Sequence, residues 1–467
     1  MKAFLINPPT GLYIREDRCQ SSVGDFAVSV IRPPMDLMMM AASLESKGVS
    51  CKITDYPVEK KGWDDFEEDF KGFVPDMLVM SVTTPTLSED LRACAMAKKI
   101  NPGVKTIAKG AHFLNFDADA LAGCQGLDIV IRGECETVIA EIASEASLEK
   151  VRGISFRDKG VIKRNDDKPF IDDLDCLPLP ARHLVRNGLY TRPDTQEPMA
   201  LIEASRGCPG DCIFCLVCQT GGRKIRYRSP GSIADEMELC FKKYKIRNFH
   251  LKSDSFTWDK AWVMELSRKI IGKSIPVKWL CNSRVDRLDK DRIEIMKEAG
   301  LWAIGLGVES GNQDILDRIK KGTTLQQAHD AVGLCRRYKV ISYAYFMIGF
   351  PWDTEKTVKD TIDFAFELDP DFLDFFFPYP FPGTQLEKIA RDSGWLDVPA
   401  GSHAYAQKSL ITPWISKDKL ERARRQAMRR FYLRVPYIAR TLLRASSPGE
   451  LLNMCAQGLR VFNRTLR

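Results

Sequence analysis

Three cysteines in one short loop, Cys208, Cys212 and Cys215, have the residue type and spacing that most strongly indicate chemistry in this chain. Three thiolates from a single loop can hold three corners of a four-iron cluster and leave the fourth iron open to a substrate or cofactor. Cys218 follows at a further Cys-x-x-Cys step, so a four-thiolate structural zinc and a fully ligated cluster are alternatives. The loop favours an open cluster and leaves both alternatives standing.

Length and composition predict a globular protein of several domains. The chain has 467 residues, of which 44% are hydrophobic and 28% charged, and single cores stop growing near about 250 to 300 residues. Fourteen cysteines behind a start without a secretory leader favour a reducing, cytoplasmic setting over a disulfide framework. No apolar run reaches the roughly 18 residues of a membrane-spanning helix.

The positive charge is concentrated in the C-terminal tail. The whole chain carries +7, whereas the residues from Lys417 onward contain thirteen Lys or Arg against three acids, a net +10. The remainder is therefore slightly acidic, which gives no support to a nucleic-acid partner.

Residues 1–145 alternate short apolar strands with helices, which predicts an N-terminal doubly wound parallel sheet. One helix is predicted from residue 35 to residue 47, ending at Gly48. Small and hydroxylated loops follow the strands and meet at one edge, where a flat or phosphate-bearing ligand can approach the backbone. The predicted strands are 2–6, 50–55, 77–82, 106–112 and 129–134, and the loops are 9–11, 81–86, 110–112 and 133–136.

A second alternation of strands and helices follows a connector, residues 146–198, that contains a small strand pair and a proline-rich turn. About six strand–helix repeats between residues 199 and 390 predict a partial TIM-like barrel whose active face lies at the strand C-termini. The cysteine loop comes directly after its first strand. The predicted strands are 200–203, 248–252, 277–281, 303–308, 343–349 and 372–377, with helices such as 289–299 and 325–338 between them.

With the loop placed in this context, the chain resembles the radical S-adenosylmethionine (SAM) superfamily. The spacing Cys208-x-x-x-Cys212-x-x-Cys215, with Phe214 before the last cysteine, is similar to the signature of that superfamily. Segments after the later strands fit the same family, and N-terminal segments resemble its cobalamin-binding subgroup. These segments are 253–256, 282–286, 307–311 and 349–355 in the barrel, and 7–9, 32–34, 110–112 and 132–136 in the first domain.

The resemblance implies that the three cysteines hold a [4Fe-4S] cluster whose open iron takes the amino and carboxylate groups of SAM. A reductant such as flavodoxin or ferredoxin then drives cleavage of SAM to methionine and a 5′-deoxyadenosyl radical. Arg284 and Glu309 are placed to bind the charged groups of SAM, the alternative being an ordinary salt bridge at the barrel mouth. The SAM-binding residues implied are Phe214, Ser253, Arg284, Gly307, Glu309 and Gly349.

The same resemblance implies that cobalamin binds at the edge of the first sheet. None of the five histidines lies in an Asp-x-His-x-x-Gly motif, as is expected where loops alone hold the corrin, although a domain that has lost its corrin would look the same. The cobalamin-binding residues implied are Thr10, Gly11, Thr83, Thr84, Gly110, His112, Gly133 and Glu134.

The basic helical region, residues 391–467, has two interpretations. One helical face carries Leu420, Ala423, Ala427, Met428 and Phe431, and a second apolar set follows with Val435, Ile438, Leu442 and Leu443. The helices either pack on the barrel with a solvated basic face or form an interfacial segment against anionic lipid. The second interpretation predicts a peripheral membrane contact.

Taken with the family resemblance, these features predict cobalamin-dependent radical methylation of an unactivated carbon. Aromatic segments such as residues 372–381 suggest an apolar substrate, either a lipid or isoprenoid or another natural product. The alternatives are radical cyclisation, rearrangement or carbon–carbon coupling without methyl transfer, and, more remotely, a zinc-stabilised binding module.

Overall fold

The structure is a computed structural model that describes residues 1–17, 20–28, 30–144, 147–397, 409–444 and 447–466. These residues form two large sheets and a two-stranded ribbon. Helices cover the sheets, and three further helices form a C-terminal layer. The predicted combination of a doubly wound sheet, a partial barrel and a helical tail is confirmed.

The first sheet has seven strands in the order β2-β1-β3-β4-β5-β6-β7. Its first five strands are parallel, and the order reverses at β1, as in a doubly wound fold. The strands are β1 (Lys2–Asn7), β2 (Ser50–Asp55), β3 (Met77–Ser81), β4 (Lys105–Lys109), β5 (Ile129–Ile131), β6 (Ile154–Asp158) and β7 (Val161–Arg164). The associated helices are α1 (Met35–Glu45), α2 (Tyr56–Glu59), α3 (Trp63–Phe73), α4 (Leu87–Asp90), α5 (Arg92–Ile100), α6 (Phe113–Gly123) and α7 (Glu136–Ser144).

The antiparallel hairpin of β6 and β7 corresponds to the strand pair expected within the connector. It pairs with β5 and so belongs to the first sheet, which extends to Arg164. Predicted strands β4 and β5 end earlier than expected, at Lys109 and Ile131, where the chain turns into the loops at the sheet edge.

Helix α1 joins the two sheets through a shared apolar core. Nearly all of its side chains are buried, as expected for a helix that is apolar on every side. Its methionines pack in one cluster with Leu5 of the first sheet and Leu201 of the second. The two sheets therefore have no independent hydrophobic cores at this boundary.

The second sheet has six parallel strands in the order β15-β14-β13-β12-β11-β8. Each of the six strands contributes to one internal cavity, so the sheet curves into a partial barrel. The strands are β8 (Met199–Glu203), β9 (Ser205–Arg206), β10 (Arg226–Tyr227), β11 (Asn248–Lys252), β12 (Lys278–Arg284), β13 (Leu301–Glu309), β14 (Ile341–Met347) and β15 (Phe372–Phe376), of which β9 and β10 form the ribbon. The helices are α8 (Val217–Thr220), α9 (Pro230–Tyr244), α10 (Lys260–Gly272), α11 (Lys290–Glu298), α12 (Gln313–Arg318), α13 (Leu325–Arg337), α14 (Glu355–Leu368) and α15 (Gln385–Asp392).

The long connection between β1 and α1 leaves the first sheet and reaches the barrel. We call its described residues 26–28 and 30–32 the crossing segment. The backbone N–H of Ala27 donates to Asp374 Oδ2 in β15 at 3.0 Å, and the rings of Phe26 and Phe376 meet edge to face at 5.4 Å. A loop of the first domain thus forms part of the second.

The C-terminal layer consists of α16 (Lys417–Tyr432), α17 (Val435–Leu442) and α18 (Pro448–Leu466). Helix α16 buries Leu420, Ala427, Met428 and Phe431 in the core of the barrel, which confirms packing for the first apolar set. Helix α17 buries only Tyr437 among its described side chains. Among all described residues, no helix combines the length and the apolar character that crossing a bilayer requires.

The buried carboxyl group of Asp55, at the end of β2, generates a prediction about pH. Burial raises the pKa of Asp55 to about 6, although hydrogen bonds from Asn7 and Tyr190 partly offset it. Because the folded state then binds more protons than the unfolded state between pH 4 and 6, this group's contribution to stability falls as pH rises through that window. The loss is on the order of 3 kcal/mol.

Asp55→Asn should therefore flatten the dependence of the urea unfolding midpoint on pH between 4 and 6. Asp64→Asn, which changes an exposed carboxylate on α3, is the matched control and should follow the wild-type curve. An Asp55→Asn curve parallel to the wild type would contradict the assignment of this proton to Asp55.

Candidate active site

The cysteine loop begins directly after β9, between the two strands of the ribbon. Gly207 has φ +92°, and a side-chain carbon there would lie 2.2 Å from the carbonyl oxygen of Lys224, so only glycine fits. Its N–H donates to Asp254 Oδ2 at 2.9 Å, and the N–H of Cys208 donates to Gly222 O at 3.0 Å. The base of the loop is thus fixed by backbone contacts.

Cys208, Cys212 and Cys215 are partly buried and line one cavity of about 630 Å³, to which α15 also contributes. The guanidinium of Arg284 lies 3.9 Å from Cys212 Sγ. Burial raises the pKa of the Cys212 thiol, and the cations Lys321 and Arg284 partly offset this effect. These three thiols therefore line one cavity, with positive charge beside Cys212.

This donor set fits an iron–sulfur cluster in kind. Among the residues that the structure describes, no group of three or more His, Cys, Asp or Glu side chains is arranged to hold a single metal ion. Three thiolates on three separate irons need not converge on one point. Cys218 lines the same cavity, with its Sγ 3.8 Å from Cys215 O. A site with Cys218 as a fourth ligand therefore stays an alternative.

Three of the residues expected to bind SAM come together at the C-terminal ends of β12 and β13. Arg284 is held by Asp286 at 2.8 Å and by the carbonyl of Lys321 at 2.7 Å. Glu309 pairs with Lys321 at 2.7 Å, and a side-chain carbon at Gly307 would lie 2.7 Å from Glu309 Oε1. Gly307 therefore leaves the space in which this ion pair forms.

The backbone of Glu309 has φ +68°, a left-handed conformation that is uncommon for residues other than glycine. Such conformations persist where the surroundings enforce them, often at functional sites. Burial alone would lower the pKa of Lys321, but the Glu309 carboxylate outweighs it and the pKa lies above its usual value. Lys321 therefore stays protonated, and its contact with Glu309 orients that side chain.

Gly349, Phe214 and Ser253 have their own structural partners. Gly349 has φ +99°, and its N–H donates to the buried Asp353 carboxylate at 2.8 Å. Phe214 packs on Phe350 with ring centroids 5.9 Å apart. The hydroxyl of Ser253 meets that of Ser205 at 2.5 Å. Contacts of these three residues with SAM stay predictions.

At the edge of the first sheet, the hydroxylated loops surround the buried carboxylate of Asp90. Thr10 Oγ1 donates to Asp90 at 2.6 Å, Arg15 pairs with it at 2.9 Å, and the N–H of Thr83 donates to it at 3.2 Å. The N–H of Thr84 donates to Gln20 Oε1 at 2.7 Å. These contacts account for the threonines in the two loops. A role of these threonines in holding cobalamin stays a prediction.

Three glycines at this edge occupy positions that a side chain would not fit easily. Gly11 and Gly133 have φ +103° and +79°, and a side-chain carbon at Gly110 would lie 2.5 Å from Val82 O. The His112 ring lies 5.2 Å from that of Phe116. A glycine-lined edge fits a ligand held by loops, as expected for a corrin.

Glu134 and its neighbours link this edge to the cysteine loop. Glu134 pairs with Arg226 at 2.7 Å and with Arg206 at 3.2 Å. Between the two domains, Gly133 and Glu136 face Arg206 and Asp254 across a crevice of about 60 Å³. The crevice alone is smaller than a corrin ring, so the individual cobalamin contacts stay predictions.

Comparisons with known proteins agree with this arrangement. Residues 202–365 match the family model for the Radical SAM superfamily, and residues 27–143 match that for the B12 binding domain. The first match contains the cysteine loop, and the second contains the loops after β3, β4 and β5.

Several relatives align with most of the chain. An uncharacterized methyltransferase of Pyrococcus horikoshii is 28% identical over 98% of both chains. The hopanoid C-3 methylase of Methylococcus capsulatus is 27% identical, covering 82% of this chain and 72% of the relative. The anaerobic magnesium-protoporphyrin IX monomethyl ester cyclase of Rubrivivax gelatinosus is 25% identical, covering 87% of this chain and 75% of the relative.

Two solved structures share the fold. The cobalamin-dependent SAM radical enzyme OxsB, with aqua-cobalamin and SAM bound, has a TM-score of 0.72 and 15% identity, covering 99% of this chain and 72% of that one. The radical SAM methyltransferase TsrM of Kitasatospora setae, with tryptophan and a SAM analogue bound, has a TM-score of 0.69 and 17% identity, covering 85% and 77%.

Single substitutions separate the possible metal centres. Cys208→Ser, Cys212→Ser and Cys215→Ser should each abolish most of the iron and sulfide bound after anaerobic reconstitution, because each removes one of three cluster ligands. Cys218→Ser is the matched control and should retain wild-type amounts, measured by metal and sulfide analysis. Zinc without iron, or equal iron loss in Cys218→Ser, would contradict a three-cysteine cluster.

Proposed function

We propose that this chain, which belongs to the radical SAM superfamily and carries a B12-binding domain, is a cobalamin-dependent enzyme that methylates an unactivated carbon. The observation that carries the proposal is the position of the cysteine loop. Arg206, directly before the loop, faces Gly133 at the edge of the first sheet across the crevice. Arg284, beside Cys212, contacts the carbonyl of Lys321, which pairs with Glu309. The methyltransferase names of several relatives support the same reaction.

The chain's own residues would bind and orient the reactants. Cys208, Cys212 and Cys215 would hold the cluster, and Gly110 and Gly133 would bring backbone close to the corrin. When bound, the cluster supplies the electron that splits SAM homolytically, and cobalamin supplies the methyl group. Arg284 would bind the carboxylate of SAM, and Glu309, held by Lys321, would accept hydrogen bonds from its amino or ribose groups.

The barrel interior suits an apolar substrate. Inward-facing side chains include Tyr343 and Tyr345, whose rings lie 4.8 Å apart, and Phe372 beside them. Apolar side chains around a reaction site help to exclude water from reactive species. We therefore propose a lipid, isoprenoid or similarly apolar natural product as substrate, with a one-electron protein donor such as flavodoxin or ferredoxin as reductant.

A second candidate reaction is radical ring closure without methyl transfer. The observation that favours it is the 25% identity with a magnesium-protoporphyrin IX monomethyl ester cyclase over 87% of this chain. Both reactions begin with SAM cleavage, so the products must distinguish them.

Product analysis tests the proposed reaction. Anaerobically reconstituted protein with cobalamin, a strong reductant and an apolar extract of its own cells should form 5′-deoxyadenosine and S-adenosylhomocysteine in comparable amounts. Each methylation uses one SAM for hydrogen abstraction and another as methyl source. Cys212→Ser should form no 5′-deoxyadenosine. Deoxyadenosine without S-adenosylhomocysteine would favour ring closure, and the absence of both would contradict radical SAM chemistry.

We also propose a peripheral membrane contact through the C-terminal layer. Large apolar side chains are strongly exposed on α17, directly after it and on α18, with Val435 77%, Leu443 86% and Leu452 71% exposed. The adjoining helix α16 exposes Arg422, Arg429 and Arg430. Exposed apolar side chains beside basic ones are typical of helices that lie on anionic lipid.

Vesicle flotation tests this contact. The full chain should float with phosphatidylglycerol vesicles and much less with phosphatidylcholine vesicles. Replacing Val435 and Leu443 together by Asp should reduce flotation at least fivefold, because both lose apolar burial in the interface. Val161→Asp, which changes an exposed valine of β7, is the control. Equal flotation of the double variant and the wild type would exclude this surface.

A further inference from the structure

The crossing segment forms one wall of a chamber inside the barrel. Phe26, Val28, Val30 and Arg32 alternate along the chain, and all four line a cavity of about 110 Å³. The opposite walls come from all six barrel strands.

The wall is held in place by specific contacts at both ends. At one end, Asp374 accepts the N–H of Ala27 at 3.0 Å and also the hydroxyl of Tyr343. At the other end, Arg32 pairs with Glu16 at 2.6 Å. Because Ala27 contacts β15 and lies in the core of the barrel, the segment packs into the barrel at this end, and at the other end it is held by its own connection.

The chamber is apolar and small. Most of its lining surface is apolar and includes Phe26, Val28, Val30, Leu280 and Phe372, and the polar side chains in the lining are Arg32, His250, Asn282, Tyr343 and Tyr345. A dry cavity of about 150 Å³ lined by aliphatic and aromatic side chains can bind benzene. Pockets for whole drug-sized ligands start near about 300 Å³. The chamber thus suits one hydrocarbon group rather than an entire substrate.

The chamber adjoins the residues expected to bind SAM. Asn282 and Gly305 line it, and Arg284 and Gly307 lie two residues further along the same strands. Two residues of a strand span about 6.6 Å. A group in the chamber would place the next few carbons of its molecule at the level of Arg284 and Gly307.

We propose that this chamber is a subsite for the apolar end of the substrate, a branched or cyclic hydrocarbon group. Phe26, Val28 and Val30 of the crossing segment select that group by size. The inference rests on the proposed function in one respect, namely that the barrel holds the substrate. It deepens that function by assigning specificity to a loop of the first domain.

Benzene is the probe, detected by saturation-transfer NMR on the full chain without SAM or cobalamin. Wild-type protein should bind benzene, and Val28→Trp should weaken binding at least tenfold because the indole fills the chamber. Val161→Trp, on exposed β7, is the matched control and should bind like wild type. No binding to the wild type, or equal binding to Val28→Trp, would overturn the proposal.

A second variant covers the case in which Val28→Trp does not fold. Val28→Ala enlarges the chamber and should bind p-xylene at least tenfold more tightly than the wild type does. Unchanged p-xylene binding would also overturn the subsite. Because these measurements need no turnover, they can succeed while the product analysis fails, or the reverse, so the two proposals are judged separately.

Discussion

The arrangement of the whole site depends on one largely buried cation, Arg206, which immediately precedes the cysteine loop. Its guanidinium pairs with Glu203 of the barrel at 2.6 Å and with Glu134 and Glu136 of the first domain. A buried guanidinium without partners is strongly unfavourable, so the carboxylates of both domains must stay where they are. Arg206 therefore sets the distance between the cysteine loop and the edge of the first sheet.

The residues around the cysteines are likewise held in place by their neighbours. Gly207 allows the tight entry to the loop, Arg284 lies between Asp286 and the thiols, and Lys321 orients Glu309. Each polar group in this region has its geometry set by another element of the barrel. Such an arrangement orients a bound ligand without the cost of ordering side chains at the moment of binding.

Local sequence patterns were sufficient to predict much of the fold. Apolar runs bounded by Gly and Pro predicted the parallel strands, and the cysteine spacing predicted the loop, because both depend on neighbouring residues. Pairings between distant residues were not predictable in this way. The hairpin of β6 and β7 joins β5 only through tertiary contacts. Lys321 has no surrounding motif and is important only because α12 brings it to Glu309.

The same limit explains the outcome for individual site residues. Thr10 and Thr83 have the residue types of a ligand-binding loop, yet their polar groups contact Asp90, 80 and 7 residues away. The apolar face of α16 was predictable from helical periodicity, and the core of the barrel covers it. The position of the crossing segment could not be predicted from its own residues, since its partners in β15 lie more than 300 residues away.

That long-range contact means that the two halves of the molecule are not interchangeable modules. A fragment starting at Met199 would contain every strand of the barrel but would lack the chain that covers Asp374 and Phe376. Conversely, exchanging the β1–α1 connection between homologues would alter the interior of the barrel without touching a barrel residue. A change in one N-terminal loop can therefore reshape the interior of the barrel while the cysteine loop and the residues around it remain intact.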